Sequence, residues 1–166
     1  RVSGAKSMGR PAKGKPGSRG HRALFEQLRA RTLEVSDLTR ANAVLGWDQS
    51  TYMPAGGGAA RGRQRALLSR LSHERFTDKA MGRLLDTLEP IARDLDPDSD
   101  DACLIRVVRR QYERAIRVPS AFVERESAHA AKAYDTWKAA RPANDFAAVR
   151  DDLEIWLDLT REWAAL

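Results

Sequence analysis

Past residue 22, apolar side chains recur every three or four residues, in runs separated by proline, glycine or short polar clusters. That interval is the period of one helical face, and the strict alternation that a half-buried strand needs is absent. Such a chain can bury its apolar residues only by packing helix on helix. The pattern predicts an all-α fold of about six helices with no repeated unit.

The runs locate the helices. Leu24, Phe25, Leu28, Leu38, Val44 and Leu45 mark a first helix ending near Gly46. Pro54 and the Gly56-Gly57-Gly58 run enforce a loop, because proline lacks a donor and glycine is conformationally loose. A second helix is expected from about Ala59 to His73, with Leu67, Leu68 and Leu71 facing inward. Asp78 is placed to cap a third helix carrying Met81, Leu84, Leu85 and Leu88, which Pro90 is expected to kink or shorten. "DPDSDD", from Asp96 to Asp101, is a turn whose acids suit the start of a fourth helix through its dipole. That helix holds Leu104, Val107, Val108, Tyr112 and Ile116 and is ended by Pro119. Ser120 is the expected cap of a fifth, from Ala121 to about Arg141. A break at residues 142–145 precedes a sixth helix, with Phe146, Val149, Leu153, Trp156 and Trp163 on one face. Ile155, Leu157, Leu159 and Leu166 form a second apolar set beside it. A helix apolar over most of its girth is ordinarily buried on several sides. The pattern is still running at Leu166, so the chain reads as truncated.

At 166 residues and 18.5 kDa the chain suffices for one domain. Its +6 net charge invites a nucleic-acid reading until the charges are located. Seven of the 29 basic residues lie in positions 1–22, which hold no acid, leaving 22 bases against 23 acids elsewhere. Residues 1–22, rich in Gly, Pro, Ser, Lys and Arg, have little to bury and read as a disordered basic tail. No aromatic residue stands among those charges to stack on a base, so a solvated extension is preferred over a nucleic-acid-binding arm. There is no apolar run long enough to span a membrane and no secretory signal pattern. One cysteine, Cys103, allows no internal disulfide, and a cytoplasmic setting is the default expectation.

Residues 73–77, His-Glu-Arg-Phe-Thr, fall one residue short of the zinc-protease signature HExxH. Two histidines one turn apart would both face a metal, with the glutamate as general base. Here Thr77 replaces the second histidine, His21 lies in the tail, and His129 lies on another predicted helix. His73-Glu74 reads more simply as a surface cap with a neighbouring charge. "GGGAARGRQR" lacks the lysine and preceding strand of a phosphate-binding loop, and Cys103 sits among apolar neighbours with no local histidine. No catalytic residue and no metal ligand is assigned.

The segment "LGWDQSTYMPAGGGAARGRQRALLSRLSHERFTD", residues 45–78, resembles the N-terminal segment of the Taq-type thermostable metallocarboxypeptidases. The likeness rests on Leu45, Gly46, Trp47, Asp48, Gln49, Met53 and Pro54, then on Ser69, Leu71, His73, Glu74, Phe76, Thr77 and Asp78. It continues through Arg110, Tyr112, Glu113, Arg114, Ala115, Val118 and Pro119, and through Trp137, Ala140, Arg141, Asn144, Asp145, Phe146, Leu153 and Glu154. In that family His73-Glu74 belongs to an ordinary phrase, and the true HExxH lies beyond the region matched here. The resemblance implies that residues 23–166 are the helical N-terminal part of one wall of a gluzincin-like groove. The whole would be a zinc-dependent enzyme removing C-terminal residues from peptides, commonly a homodimer.

On that reading zinc belongs to the full-length enzyme, and none is expected to bind this chain specifically. Its partners would be the peptide substrate and the missing C-terminal portion, and alone it would be inactive, lacking a Lewis acid and an activated water. Trp47, Asp48, Gln49 and Tyr52, expected after a helix and before the glycine loop, are candidate substrate-groove contacts. The competing and preferred reading makes Trp47 a packing anchor and Asp48 and Gln49 helix-end hydrogen bonders. Two other readings stand beside the enzyme. One is a non-enzymatic helical interaction module, the other a protein that binds nucleic acid through its tail.

Overall fold

A computed structural model describes residues 18–166, and among these the protein is all helix. Six α-helices follow in order: α1 (Ser18–Thr51), α2 (Gly58–Thr77), α3 (Lys79–Ala92), α4 (Asp100–Ala115), α5 (Ser120–Ala140) and α6 (Ala147–Ala164). A 3-10 turn, Arg141–Ala143, joins the last two. The expectation of a disordered tail falls, for positions 1–17, outside the described residues. Residues 18–22 instead form the first turn of α1, where the helix anchored by buried Phe25 and Leu28 propagates backward at little extra cost.

The local signals at the start of α3 and α4 act as read. Asp78 accepts a hydrogen bond from the Ala80 amide at 2.6 Å. Ser99 accepts one from Ala102, with Asp100 and Asp101 in the first turn. Pro90 does not stop α3, which continues to Ala92. It lies in the last turn, where its missing N–H forfeits a single bond. Ser120 does not cap α5: Pro119 holds the cap position, without a side-chain cap bond.

The apolar core joins the N-terminal part of α1 to α3 and α4. Phe25, Leu28, Met81, Leu84, Leu85, Leu88, Ile105 and Val108 form it, with Phe76 and Tyr112 packed at its edge. Gly82 is needed there, because a Cβ would meet the Tyr112 hydroxyl at 2.6 Å and its ring carbon at 3.0 Å. Tyr112 is rigid and stands edge-on to Phe76, centroids 6.3 Å apart, so it cannot yield without loosening that pair. Gly82→Ala is therefore expected to destabilise the chain by about 1–3 kcal/mol despite alanine's better helix propensity, measured by denaturant unfolding. Unchanged or raised stability would show that Tyr112 has room to move.

The second layer packs differently. α2 lies between α1 and α5, and its approach to α5 is close because Gly62 stands opposite Ala131. Several residues expected to face inward do not: Val44, Leu67, Val107 and Ile116 are exposed.

α6 returns antiparallel along α5, as the pairs Arg125–Glu162 and Lys132–Asp152 require. Its expected face is corrected by the structure. Asp152 and Leu159 are buried, while Phe146, Leu153 and Trp163 are exposed. The buried seam turns towards Asp152 because that residue is held from two sides. His129 Nε2 donates to the Asp152 backbone carbonyl at 2.9 Å, and Lys132 Nζ lies 3.4 Å from its carboxylate. The Thr136 hydroxyl, outweighing burial and joined by the Lys132 charge, holds the Asp152 carboxyl below the usual carboxylate range. A lowered folded value stabilises the protein above the ordinary carboxylate pKa, and that contribution is lost as pH falls through the lowered value. Asp152→Asn should thus be less stable than the parent at neutral pH, the gap closing in acid; a pH-independent gap in thermal melts would refute this.

Candidate functional site

α1 does not end near Gly46 but continues to Thr51. Gly46 lies inside the helix beside the Arg65 guanidinium, which is 3.4 Å from where a Cβ would stand, an ordinary contact. Asn42, Leu45, Gly46 and Gln49, at three- and four-residue intervals, share the face that α2 covers. Arg61 and Arg65, one turn apart on α2, project onto it.

The result is a polar joint across three helices. Arg61 forms an ion pair with Asp48 at 2.6 Å and donates to the Leu45 carbonyl at 2.6 Å. Arg65 donates to Asn42 Oδ1 at 3.3 Å and to Gln49 Oε1 at 3.1 Å. Gln49 is 2% exposed, and its amide nitrogen donates to the Ala131 carbonyl and to Asp135 Oδ1, both at 3.3 Å, on α5. Arginine can only donate and a backbone carbonyl only accept, so the Gln49 amide is fixed in one orientation. Asn42 extends the joint by donating to Ser69 Oγ at 2.9 Å, which in turn reaches Ser127 at 3.0 Å. Two guanidinium groups face two carboxylates, so the cluster is balanced in charge and every polar atom of Gln49 has a partner. It is a rigid connector, with no group left to attack or protonate a substrate.

Asp135 also sits against the N-terminus of α2, where it complements the positive end of a helix that has no side-chain cap. A Cβ on Gly58 would collide with the Asp135 carboxylate. Gly58→Ala is therefore expected to turn Asp135 aside, break its bond to Gln49 and cost about 1–2 kcal/mol. The double variant with Asp135→Ala checks this: if Asp135 is the cause, the glycine substitution becomes close to neutral in its absence.

The structure thus divides the four candidates. Asp48 and Gln49 are spent within the joint. Trp47 and Tyr52 are 58% and 75% exposed, edge-on with centroids 5.5 Å apart, and stand free beside the loop at Met53–Gly57. That loop is tight: the Tyr52 and Met53 amides both donate to the Asp48 carbonyl, and Gly56 takes a positive φ of 92°.

His73 is no surface cap. Its ring spans α2 to the α4–α5 turn, with Nε2 3.1 Å from the Ala115 carbonyl and Nδ1 3.1 Å from Ser120 Oγ. The carbonyl can only accept, so Nε2 carries the proton and, in the neutral ring, Nδ1 accepts from the Ser120 hydroxyl. This contact occupies the serine that was expected to cap α5. Glu74 is drawn to Arg70 at 3.0 Å, and Thr77 donates to the His73 carbonyl. Among the described residues no three His, Cys, Asp or Glu side chains converge as metal ligands.

Comparison with known proteins places this architecture. The family model described as carboxypeptidase Taq (M32) metallopeptidase matches residues 27–166. The chain is 34% identical over 142 residues to thermostable carboxypeptidase 1 of Thermus thermophilus, covering 86% of this chain and 28% of that protein. The crystal structure of an M32 carboxypeptidase from Deinococcus radiodurans superposes with a TM-score of 0.64 at 40% identity, covering 86% of this chain and 28% of that one. A crystal structure titled BsuCP gives a TM-score of 0.75 at 23% identity over 86% of this chain and 28% of that one, which speaks for the fold alone. The chain spans 28% of the length of these relatives.

Proposed function

This chain belongs to the carboxypeptidase Taq (M32) metallopeptidase family, and from that premise we propose that it is the N-terminal part of the helical wall of a zinc-dependent carboxypeptidase. The observation that carries the reading is the match across residues 27–166. The complete protein would remove C-terminal residues from peptides, act in the cytoplasm and pair as a homodimer. No helix among the described residues is long and apolar enough to cross a membrane.

The residues present do not fit zinc. A catalytic site takes three protein ligands with a fourth position open. Both ring nitrogens of His73 are engaged by Ala115 and Ser120, and His129 is buried with Nε2 on a backbone carbonyl. The metal and its ligands would therefore come from polypeptide outside this chain. The contribution of the residues present is architectural: the joint at Gln49 fixes α1 to α2 and α5, and so fixes where Trp47 and Tyr52 stand. Those two aromatic side chains are the proposed contacts to a peptide in the groove, since their flat faces are exposed while their backbone is held.

The test compares the complete gene product with residues 1–166, using a blocked peptide with a free C-terminal carboxylate. The complete protein is expected to release the terminal residue, to contain zinc by mass spectrometry, and to lose activity to a chelator. The 166-residue chain is expected to do none of these. A complete, zinc-loaded protein that left the peptide intact would sink the proposal.

A further inference from the structure

Charge is spread unevenly over the described residues. From Arg106 to Arg117, α4 and the turn after it hold five arginines against one acid, Glu113. Arg109 is largely buried and spent on α3, pairing with Asp86 at 2.7 Å and with Glu89 at 3.4 Å. Arg106, Arg110 and Arg114 follow at four-residue spacing, about 6 Å apart along the axis, and share the outer face. Arg117 lies in the turn beyond. All four are exposed, and among the described residues none of them makes an ion pair. Positions 1–17 hold no acid that could supply one. Arg106 donates to neutral acceptors, the Pro97 carbonyl at 3.3 Å and Cys103 Sγ at 3.2 Å, which leave its charge uncompensated. The row borders a groove of about 380 Å³ between α3 and α4, with Arg93 on the far side and Glu89 and Glu113 as its acids. The Nε of Arg109, on the same groove, is buried without a hydrogen-bond partner.

Unpaired guanidinium groups in a row suit phosphate oxygens, which their fork of donors matches. A single small anion would meet one or two of them and leave the rest unpaired, whereas a linear polyanion meets the row. Tyr112, the one aromatic residue of α4, is packed against the core, so no ring is offered to an unstacked base. A protein partner would want an apolar centre, and Val107 is the one exposed large apolar residue of α4. We propose that the arginine face of α4 binds the phosphate backbone of duplex nucleic acid without reading its sequence. The basic segment before Ser18 joins the fold near the start of the same helix, where His21 and Arg22 line a pocket with Leu95 and Asp101. That segment carries Arg1, Lys6, Arg10, Lys13 and Lys15 and no acid, which adds attraction for the same partner. This binding is independent of the peptidase reading, since α4 supplies none of the proposed peptide contacts.

The experiment measures binding of the complete gene product to a short fluorescent DNA duplex of arbitrary sequence, by anisotropy across a salt series. The logarithm of the binding constant is expected to fall linearly with the logarithm of salt concentration. Arg110→Gln with Arg114→Gln should make that slope shallower by about 1.8, at about 0.9 per phosphate contact removed. Arg110→Lys with Arg114→Lys keeps the charge and should retain the parent slope. Should the glutamine variant melt below the parent, Arg106→Gln with Arg117→Gln reads the same change from the two ends of the row. Deleting residues 1–17 should weaken binding and leave the effect of the α4 substitutions in place. Binding that vanishes with those residues and ignores the α4 variants would assign the contact to the segment alone and overturn the proposal. So would the absence of binding to the duplex. Polyglutamate competing as well as the duplex would give the face to an acidic polypeptide, and would overturn it too.

Discussion

Replacing Leu85 with alanine is expected to remove about 2–5 kcal/mol of stability, a large share of the roughly 5–15 kcal/mol that holds a domain together. Leu85 is fully buried and belongs to the core that α1, α3 and α4 build together. Those three helices meet around an apolar centre, with the Arg29–Asp101 and Arg109–Asp86 ion pairs at its edge, so the lost methyls leave a cavity in the middle of it. In urea the midpoint should fall while the slope stays constant, because the surface exposed on unfolding is unchanged. Leu67→Ala, on the exposed margin of α2, is the matched comparison and should shift stability by no more than about 0.5 kcal/mol. Equal losses at the two positions would mean that the core lies elsewhere.

Gln49→Leu is expected to cost about 2–4 kcal/mol, although leucine is nearly isosteric and more apolar. The substitution strips Arg65 and Asp135 of a shared buried neutral partner and removes the second donor from the Ala131 carbonyl, which keeps its bond within α5. Bonds to charged groups contribute more than neutral ones, and a buried group left unpaired is penalised by its full desolvation. A cycle with Asp135→Ala should show coupling of about 0.5–3 kcal/mol between the two positions. Trp47→Ala and Tyr52→Ala should each cost below about 1 kcal/mol, since the side chains are largely solvated. In the complete enzyme their loss should instead raise KM for peptides. A stable Gln49→Leu protein with impaired peptide binding would reverse this division of labour.

The division explains what could be read from the residues in order. α3 was legible at its cap and along its buried face, though not at Pro90: Asp78 caps it, and Met81, Leu84, Leu85 and Leu88 are buried. Cap, period and burial agree there because the helix is covered on that face alone. α6 was legible as a helix but not in its orientation. With apolar residues on most of its circumference, the sequence does not say which side α5 takes, and the buried Asp152 marks that side against the hydrophobic pattern. At His73 the expected surface cap gave way to a contact with Ala115 and Ser120, for which the sequence held no local signal.

What the sequence determined by itself is whatever depends on neighbours within a turn or two. That covers the all-helical class, the breaks at Pro54 and Pro119, the cap at Asp78, the acidic first turn of α4, and the collinear phrases that carry the family likeness. Only the tertiary structure decided which polar residues are spent and which are free. Gln49 meets its partners on α5 across 82 and 86 residues, and Gly58, where a Cβ would collide with Asp135, leaves room for one of them. Two residues apart in the chain, Trp47 and Gln49 differ in fate because a helix turns nearby side chains to different sides, and only the packing of α2 and α5 makes one of those sides the interior.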